Sequence, residues 1–137
     1  MMQKVSHIGI AVKNIEDAAK LYTEALGLEV KSVEVVADQK VRIAIIPVGN
    51  TRIELLESTD PEGPIAKHIN TRGEGLHHLA LQVDGIEGIL EALDSKGVPL
   101  IDKKPRIGAE GAKIAFLHPK WTKALIELVE PADQRDK

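Results

Sequence analysis

The chain has 137 residues, of which 43% are hydrophobic and 28% charged, and its formal net charge is -3. This composition predicts one globular domain with a substantial core, and the mild acidity gives no reason to expect a nucleic-acid partner. No apolar run reaches the roughly 20 residues of a membrane span, and the first residues lack a signal-peptide pattern, so we expect a cytoplasmic protein. Because cysteine is absent, any metal ion must be held by nitrogen and oxygen atoms.

Two halves of the chain share one pattern. Residues 6–30, SHIGIAVKNIEDAAKLYTEALGLEV, match residues 77–101, HHLALQVDGIEGILEALDSKGVPLI. Each copy opens with a short apolar strand, passes a polar turn and continues into a segment of helical period. Strands are predicted next at about 28–36, 41–48 and 51–57 in the first copy, and at about 98–101, 112–117 and 123–130 in the second.

Each half therefore reads β-α-β-β-β, over residues 4–57 and 76–131. The segment 58–75 is rich in proline and glycine and is predicted as a linker with a short helix at 65–70. Helical spacing predicts one buried face in each long helix, formed by Ala18, Leu21, Ala25 and Leu26 in the first and by Ile89, Leu90 and Leu93 in the second. One half alone would bury its sheet poorly, so we expect a single pseudosymmetric α+β domain.

A histidine and a glutamate occupy matched places in the two halves. His7 and His78 lie in the opening strands, on the face with small residues, whereas Glu54 and Glu127 interrupt the closing strands RIELLE and LIELVE. One such residue alone is ordinarily structural, but four at matched positions favour a divalent metal site with two nitrogen and two oxygen ligands. Such a set leaves two octahedral positions open and suits cobalt, nickel, manganese, iron or zinc rather than calcium.

The segments HIGIAVKNIEDAAKLY, GNTRIELLE, GPIAKHI, GEGLHHLALQV and KPRIGAEGAKIAFLHPK extend this pattern over most of the chain. Together they resemble the vicinal oxygen chelate (glyoxalase I-like) superfamily and, within it, the methylmalonyl-CoA epimerases. The resemblance implies two βαβββ half-repeats that form a pseudosymmetric curved sheet around a metal site. It further implies His7, Glu54, His78 and Glu127 as ligands, Glu127 as the catalytic base, an acyl-CoA substrate and a homodimer. The implied cofactor is a divalent ion, cobalt(II) first, with nickel, manganese or zinc as alternatives.

The predicted reaction is epimerisation of methylmalonyl-CoA at C2 through a metal-stabilised enolate. A lactoylglutathione lyase of the glyoxalase I type is the first alternative, because its ligand set would look the same. A ligand-sequestering protein of the same fold is the second. The scarcity of aromatic residues, which are Tyr22, Phe116 and Trp121 only, argues against a sequestering protein.

Three further residues are candidates for binding the substrate. Arg42 stands where the resemblance implies a second catalytic glutamate, and a guanidinium cannot act as a base near neutral pH. The second acid or base therefore stays open. Lys113 and His118 are weaker candidates, since a lysine is ordinarily a solvated charge and His118 precedes a proline in a predicted turn. His77 is predicted to point to the opposite strand face from His78 and to be either structural or a residue that supports a metal ligand.

Overall fold

The structure is a computed structural model that describes residues 2–132. Those residues form two compact units. The first unit comprises residues 7–77, and the second comprises residues 2–6 together with residues 78–132. The strands are β1 (Met2–Ala11), β2 (Ser32–Val36), β3 (Val41–Val48), β4 (Thr51–Ser58), β5 (Gly75–Val83), β6 (Arg106–Ile107), β7 (Lys113–Leu117) and β8 (Ile126–Glu130). The α-helices are α1 (Ile15–Lys20), α2 (Pro64–Arg72), α3 (Ile86–Ser95) and α4 (Pro119–Thr122).

The first unit follows the predicted β-α-β-β-β order, with α2 after its last strand. Its strands lie in the order β2-β3-β4-β1. β1 pairs with β4 in parallel, whereas β2, β3 and β4 pair as antiparallel neighbours. The helix α1 packs on one face of this sheet, where Val12, Ile15, Ala44, Ile46 and Leu55 form the core. Ile10 of β1 packs against this core, whereas His7 and Gly9 lie on the opposite face of the strand.

The predicted buried face of the first helix is largely wrong. Leu21 and Leu26 are 59% and 58% exposed, and Ala25 is also exposed, whereas Ile15 and Ala19 are buried. Of the four predicted residues, only Ala18 packs against the core. After α1 the chain continues as a π-helical turn, Leu21–Ala25, in which the Leu26 N–H donates to the Leu21 carbonyl. Leu21 is two residues after the buried Ala19 and therefore leaves the helix on nearly the opposite side. The wider turn that follows alters the spacing that the prediction assumed for Ala25 and Leu26.

The second unit repeats the arrangement around α3. Its strands lie in the order β1-β5-β8-β7-β6, with β5 parallel to β8. Only the first residues of β1 belong to this unit, and there the side chain of Gln82 donates to that of Gln3 at 2.9 Å. Leu90 is buried in the core, with Ile89 and Leu93 packed against it. The helix face predicted for this half is therefore confirmed.

The first strand after α3 differs from the prediction. Residues 98–101 form no regular strand, and Leu100 makes only an isolated bridge to Leu117. The regular pairing is confined to β6, two residues long, where Arg106 lies opposite Ile114. Between these points the Asp102 side chain accepts a hydrogen bond from the Phe116 N–H at 2.9 Å. The Asp102 side chain thus takes the place of a backbone acceptor for the Phe116 N–H. The chain between Leu100 and β6 does not continue the strand pairing.

One glutamate in each unit fixes the start of the long helix. Glu57, on β4, accepts a hydrogen bond from the Ile15 N–H at 2.7 Å. Glu130, at the matched place on β8, accepts from the N–H groups of Gly85 and Ile86 at 2.6 and 3.0 Å. The first N–H groups of a helix have no partner within it, so these carboxylates satisfy donors that would otherwise be lost. Among the described residues, no helix has the length and apolar character required to cross a bilayer.

Candidate metal centre

The first unit holds a buried histidine-glutamate pair, His7 and Glu54, termed here the first pair. The His7 Nδ1 atom lies 3.3 Å from Oε2 of Glu54, and the two side chains are only 5% and 4% exposed. The parallel register places Gly9 beside Glu54. Since glycine has no side chain and His7 lies two residues earlier on the same strand face, the imidazole can reach the carboxylate.

The second unit holds the matched pair, His78 and Glu127, termed the second pair. Nε2 of His78 lies 2.9 Å from Oε1 of Glu127, and both side chains are 6% exposed. Ala80 lies beside Glu127 in the register, in the place that Gly9 takes beside Glu54. A small residue next to the glutamate therefore permits the contact in both units.

The surroundings of the two pairs differ. In the first pair, Arg52 donates from Nε to Oε2 of Glu54 at 3.0 Å. In the second pair, the Phe116 ring meets the His78 ring edge-on, with centroids 5.6 Å apart, and Arg106 lies over the same Phe116 ring at 5.9 Å. Strand alternation places Arg52 on the face of Glu54, so the sequence contained a signal for its position. The hydrogen bond itself required the structure.

Both pairs carry the donor atoms that a divalent transition metal prefers. Two ligand atoms about 2.1 Å from one ion and at right angles to each other lie about 3 Å apart, close to the 2.9 Å in the second pair. In the first pair, His7 faces Glu54 through Nδ1, which leaves Nε2 as its other possible ligand atom. The residues present therefore suit an ion held by nitrogen and oxygen.

The structure places Arg42 in an ion-pair network. Its guanidinium donates two hydrogen bonds to Glu16, at 3.0 and 2.6 Å, and lies 3.6 Å from Glu57. The hydrogen bond from Arg42 lowers the pKa of the Glu16 carboxyl below its ordinary range. In the β3-β4 register Arg42 faces Glu57 and Ile45 faces Glu54, so the side chains of Arg42 and Glu54 leave the sheet on opposite faces.

Lys113 repeats this arrangement in the second unit. Its ammonium group makes a short contact with Glu87, which occupies the place of Glu16 on the other helix. In the register Lys113 faces Glu130, and Phe116 faces Glu127. Lys113 and Glu127 therefore also lie on opposite strand faces. Both predicted cations join a strand to the start of a helix, and contact of either with a substrate stays a prediction.

The remaining histidines have local partners. The His118 Nδ1 atom accepts from the Lys120 N–H at 3.0 Å and caps α4, as its place before Pro119 suggested. His77 packs edge-on against His68, with ring centroids 4.8 Å apart. Burial is the main cause that lowers the pKa of His68. A structural position for His77 agrees with the sequence interpretation, and a substrate contact of His118 stays a prediction.

Comparison with known proteins identifies the family. Residues 6–116 match the family model described as the Glyoxalase/Bleomycin resistance protein/Dioxygenase superfamily. The chain belongs to this superfamily. It is 41% identical over 138 residues to Uncharacterized protein YqjC of Bacillus subtilis, with 99% of each chain covered. It is 36% identical over 132 residues to the Ethylmalonyl-CoA/methylmalonyl-CoA epimerase of Cereibacter sphaeroides, with 93% of this chain and 98% of the relative covered.

Solved structures give the same result for the fold. A methylmalonyl-CoA epimerase in complex with methylmalonyl-CoA and NH4+ superposes with a TM-score of 0.91, at 32% identity and 96% coverage of both chains. The predicted resemblance, the vicinal oxygen chelate fold with its two βαβββ halves, and an enzyme of the isomerase class are confirmed by these comparisons.

Proposed function

We propose that this protein epimerises methylmalonyl-CoA at C2. The observation that carries the proposal is the match, over nearly the whole chain, to epimerases that are named for this substrate or bound to it. The buried pairs supply the chemistry, because a racemising enzyme must remove a weakly acidic proton and return one from the other face. Glutamates in a site of low water content are suited to such proton transfer.

We further propose that His7, Glu54, His78 and Glu127 hold one divalent ion, with cobalt(II) first and nickel, manganese or zinc as alternatives. Their matched positions in the two half-repeats and the burial of their side chains support this ligand set. A bound divalent ion would stabilise the negative charge that develops on the thioester oxygen. A fixed positive charge aimed at that oxygen is the largest contribution expected in such a reaction.

Glu127 is the proposed base. Its carboxylate is 6% exposed and lies 2.9 Å from the His78 ring. Phe116, opposite Glu127 in the register, adds an apolar ring beside this pair. An apolar neighbour limits the access of water, which would otherwise solvate the carboxylate and make it a weaker base. Glu127 therefore removes the C2 proton and leaves an enolate. Delivery of a proton to the opposite face of this enolate requires a second group. Arg42 is a poor candidate because its guanidinium stays protonated.

The decisive experiment is incubation of the metal-loaded protein with one stereoisomer of methylmalonyl-CoA in deuterated water. We expect inversion at C2 together with incorporation of deuterium from the solvent. A matched reaction with ethylmalonyl-CoA tests the acyl-group range, because the Cereibacter sphaeroides relative is named for both substrates. Absence of both inversion and exchange in a folded, metal-loaded sample would refute the proposal.

A second candidate function has a specific observation behind it, since the matching family model also covers glyoxalases. Methylglyoxal with glutathione is therefore the comparison substrate. Turnover of the hemithioacetal without epimerisation would assign the lyase instead. A homodimer and a cytoplasmic location stay predictions from the sequence.

A further inference from the structure

We propose that Arg52 is a positioning residue that neutralises Glu54, so that Glu54 acts toward the substrate as an uncharged group. The inference rests on the proposed function, which it deepens, and it concerns a difference in charge between the surroundings of the two pairs. Arg52 and Glu54 are two residues apart on β4 and lie on the same strand face.

The contact between Arg52 and Glu54 is of a kind that holds a carboxylate in one orientation. Nε of Arg52 donates to Oε2 of Glu54 at 3.0 Å, and the same oxygen lies 3.3 Å from Nδ1 of His7. Exposure is 24% for the Arg52 side chain and 4% for Glu54, so the ion pair is only partly screened by water. Hydrogen bonds between charged groups are stronger than neutral ones, and partial burial preserves more of their energy.

The second pair has no equivalent cation two residues before its glutamate. RIELLE and LIELVE match position by position, and the place of Arg52 is taken by Leu125. Leucine can neither donate a hydrogen bond nor carry charge. The two closing strands thus both contain the glutamate, but only the first has an arginine two residues before it.

The arginine beside Glu54 changes the net charge that the substrate meets. In the proposed reaction negative charge develops on the substrate next to the site. A second buried carboxylate of full charge would repel that charge, whereas a carboxylate paired with arginine contributes almost none at the distance of the substrate. Arg52 also restrains the carboxylate, so that Glu54 keeps one orientation and proton transfer is left to Glu127.

The test is a double-mutant cycle with Arg52→Leu, Glu54→Gln and the double variant. Arg52→Leu copies the residue of the other half, and Glu54→Gln removes the charge while keeping an oxygen ligand. Metal affinity is measured by competing cobalt(II) between the metal-free protein and a chromophoric chelator, and kcat and KM are measured separately on methylmalonyl-CoA.

We expect opposite effects from the single variants. Arg52→Leu leaves an unbalanced carboxylate, so cobalt(II) should bind about tenfold more tightly while kcat falls about tenfold at nearly unchanged KM. Glu54→Gln leaves an unbalanced guanidinium, so cobalt(II) should bind about tenfold more weakly. The double variant should return both quantities to within about threefold of the starting protein. Arg52→Lys, which keeps the charge, should rescue kcat. Arg72→Leu removes an exposed arginine of the first unit and should change neither quantity.

Other results overturn the inference. A raised KM with unchanged metal affinity in Arg52→Leu would mean that Arg52 binds the substrate. A lowered melting temperature with unchanged affinity and kcat would mean a purely structural role, and Arg52→Met serves if the leucine variant fails to fold. Failure of the proposed function is distinguishable, because cobalt(II) binding is measured without substrate. If the starting protein binds cobalt(II) but does not epimerise, the affinity cycle still decides the role of Arg52, and if it binds none, the ligand set itself is wrong.

Discussion

The two histidine-glutamate pairs occupy matched positions in the two half-repeats but have different surroundings. The first pair has polar surroundings, with Arg52 bonded to Glu54. The second pair is bordered by an aromatic ring, with Phe116 against His78. The comparison shows that residues at matched positions of a repeat can have different neighbours, and these neighbours are the basis for proposing different roles for Glu54 and Glu127.

The largest effect is expected from replacing the two histidines, which occupy equivalent places in the two pairs. Replacing either His7 or His78 by Ala should weaken divalent-metal binding by about 100-fold or more, because each variant removes one nitrogen ligand of the proposed ion. Turnover should be lost in parallel. Metal content after dialysis, measured by elemental analysis, should fall from about one ion per chain to almost none. Two ions per chain in the starting protein, each lost with one histidine, would show two independent sites instead.

Replacing the two glutamates by glutamine should have different effects on proton exchange. Glu127→Gln should lower solvent-deuterium exchange at C2 by about 100-fold or more, because the amide cannot accept the proton. Glu54→Gln should keep measurable exchange, since an amide oxygen can still coordinate. Exchange is followed by mass spectrometry of the acyl-CoA. The reverse ranking, with metal retained in both variants, would assign the base to the first pair.

The two glutamates that cap the long helices, Glu130 and Glu57, should contribute differently to stability. Glu130→Ala removes a 6% exposed acceptor of two N–H groups and should lower the free energy of unfolding by roughly 2–3 kcal/mol. Glu57→Ala removes an acceptor of one N–H group whose side chain is 21% exposed, and should cost about 1 kcal/mol. Urea titrations compare both variants with the starting protein. Equal losses would mean that the second hydrogen bond to Glu130 adds nothing.

The smallest effect is expected for Arg42→Ala. Its ion pair lowers the pKa of Glu16 in the folded state, so its stabilisation is present above the ordinary Glu value of 4.5 and is lost as pH falls through the lowered folded pKa. The variant should therefore have a slightly lower urea midpoint at pH 7 and the same midpoint as the starting protein in strong acid. KM should be nearly unchanged. A large rise in KM would restore Arg42 as a substrate-binding residue, as the sequence suggested.

Alternation along the strands was enough to predict the faces of His7, His78, Glu54 and Glu127, because a period of two fixes side-chain direction without knowledge of the partner strand. The repeat then predicted the halves and the order of their elements. The resemblance added the family. The sequence did not reveal where the first helix loses its normal period, and the π-helical turn Leu21–Ala25 changes the positions of Ala25 and Leu26 relative to α1.

The sequence could not predict which residues face each other on neighbouring strands, because strand register depends on the whole ladder of hydrogen bonds. Arg42 was predicted at the position of a catalytic glutamate, yet its pairing opposite Glu57 directs it to the face of the helix. Asp102 was part of no prediction, and its bond to the Phe116 N–H interrupts the expected strand. What the sequence determined by itself was the kind of residue on each face, because side-chain alternation is a local property. Which of those residues meet, as Arg52 meets Glu54, was decided by tertiary structure, because hydrogen bonds depend on distances of a few ångströms that no local pattern specifies.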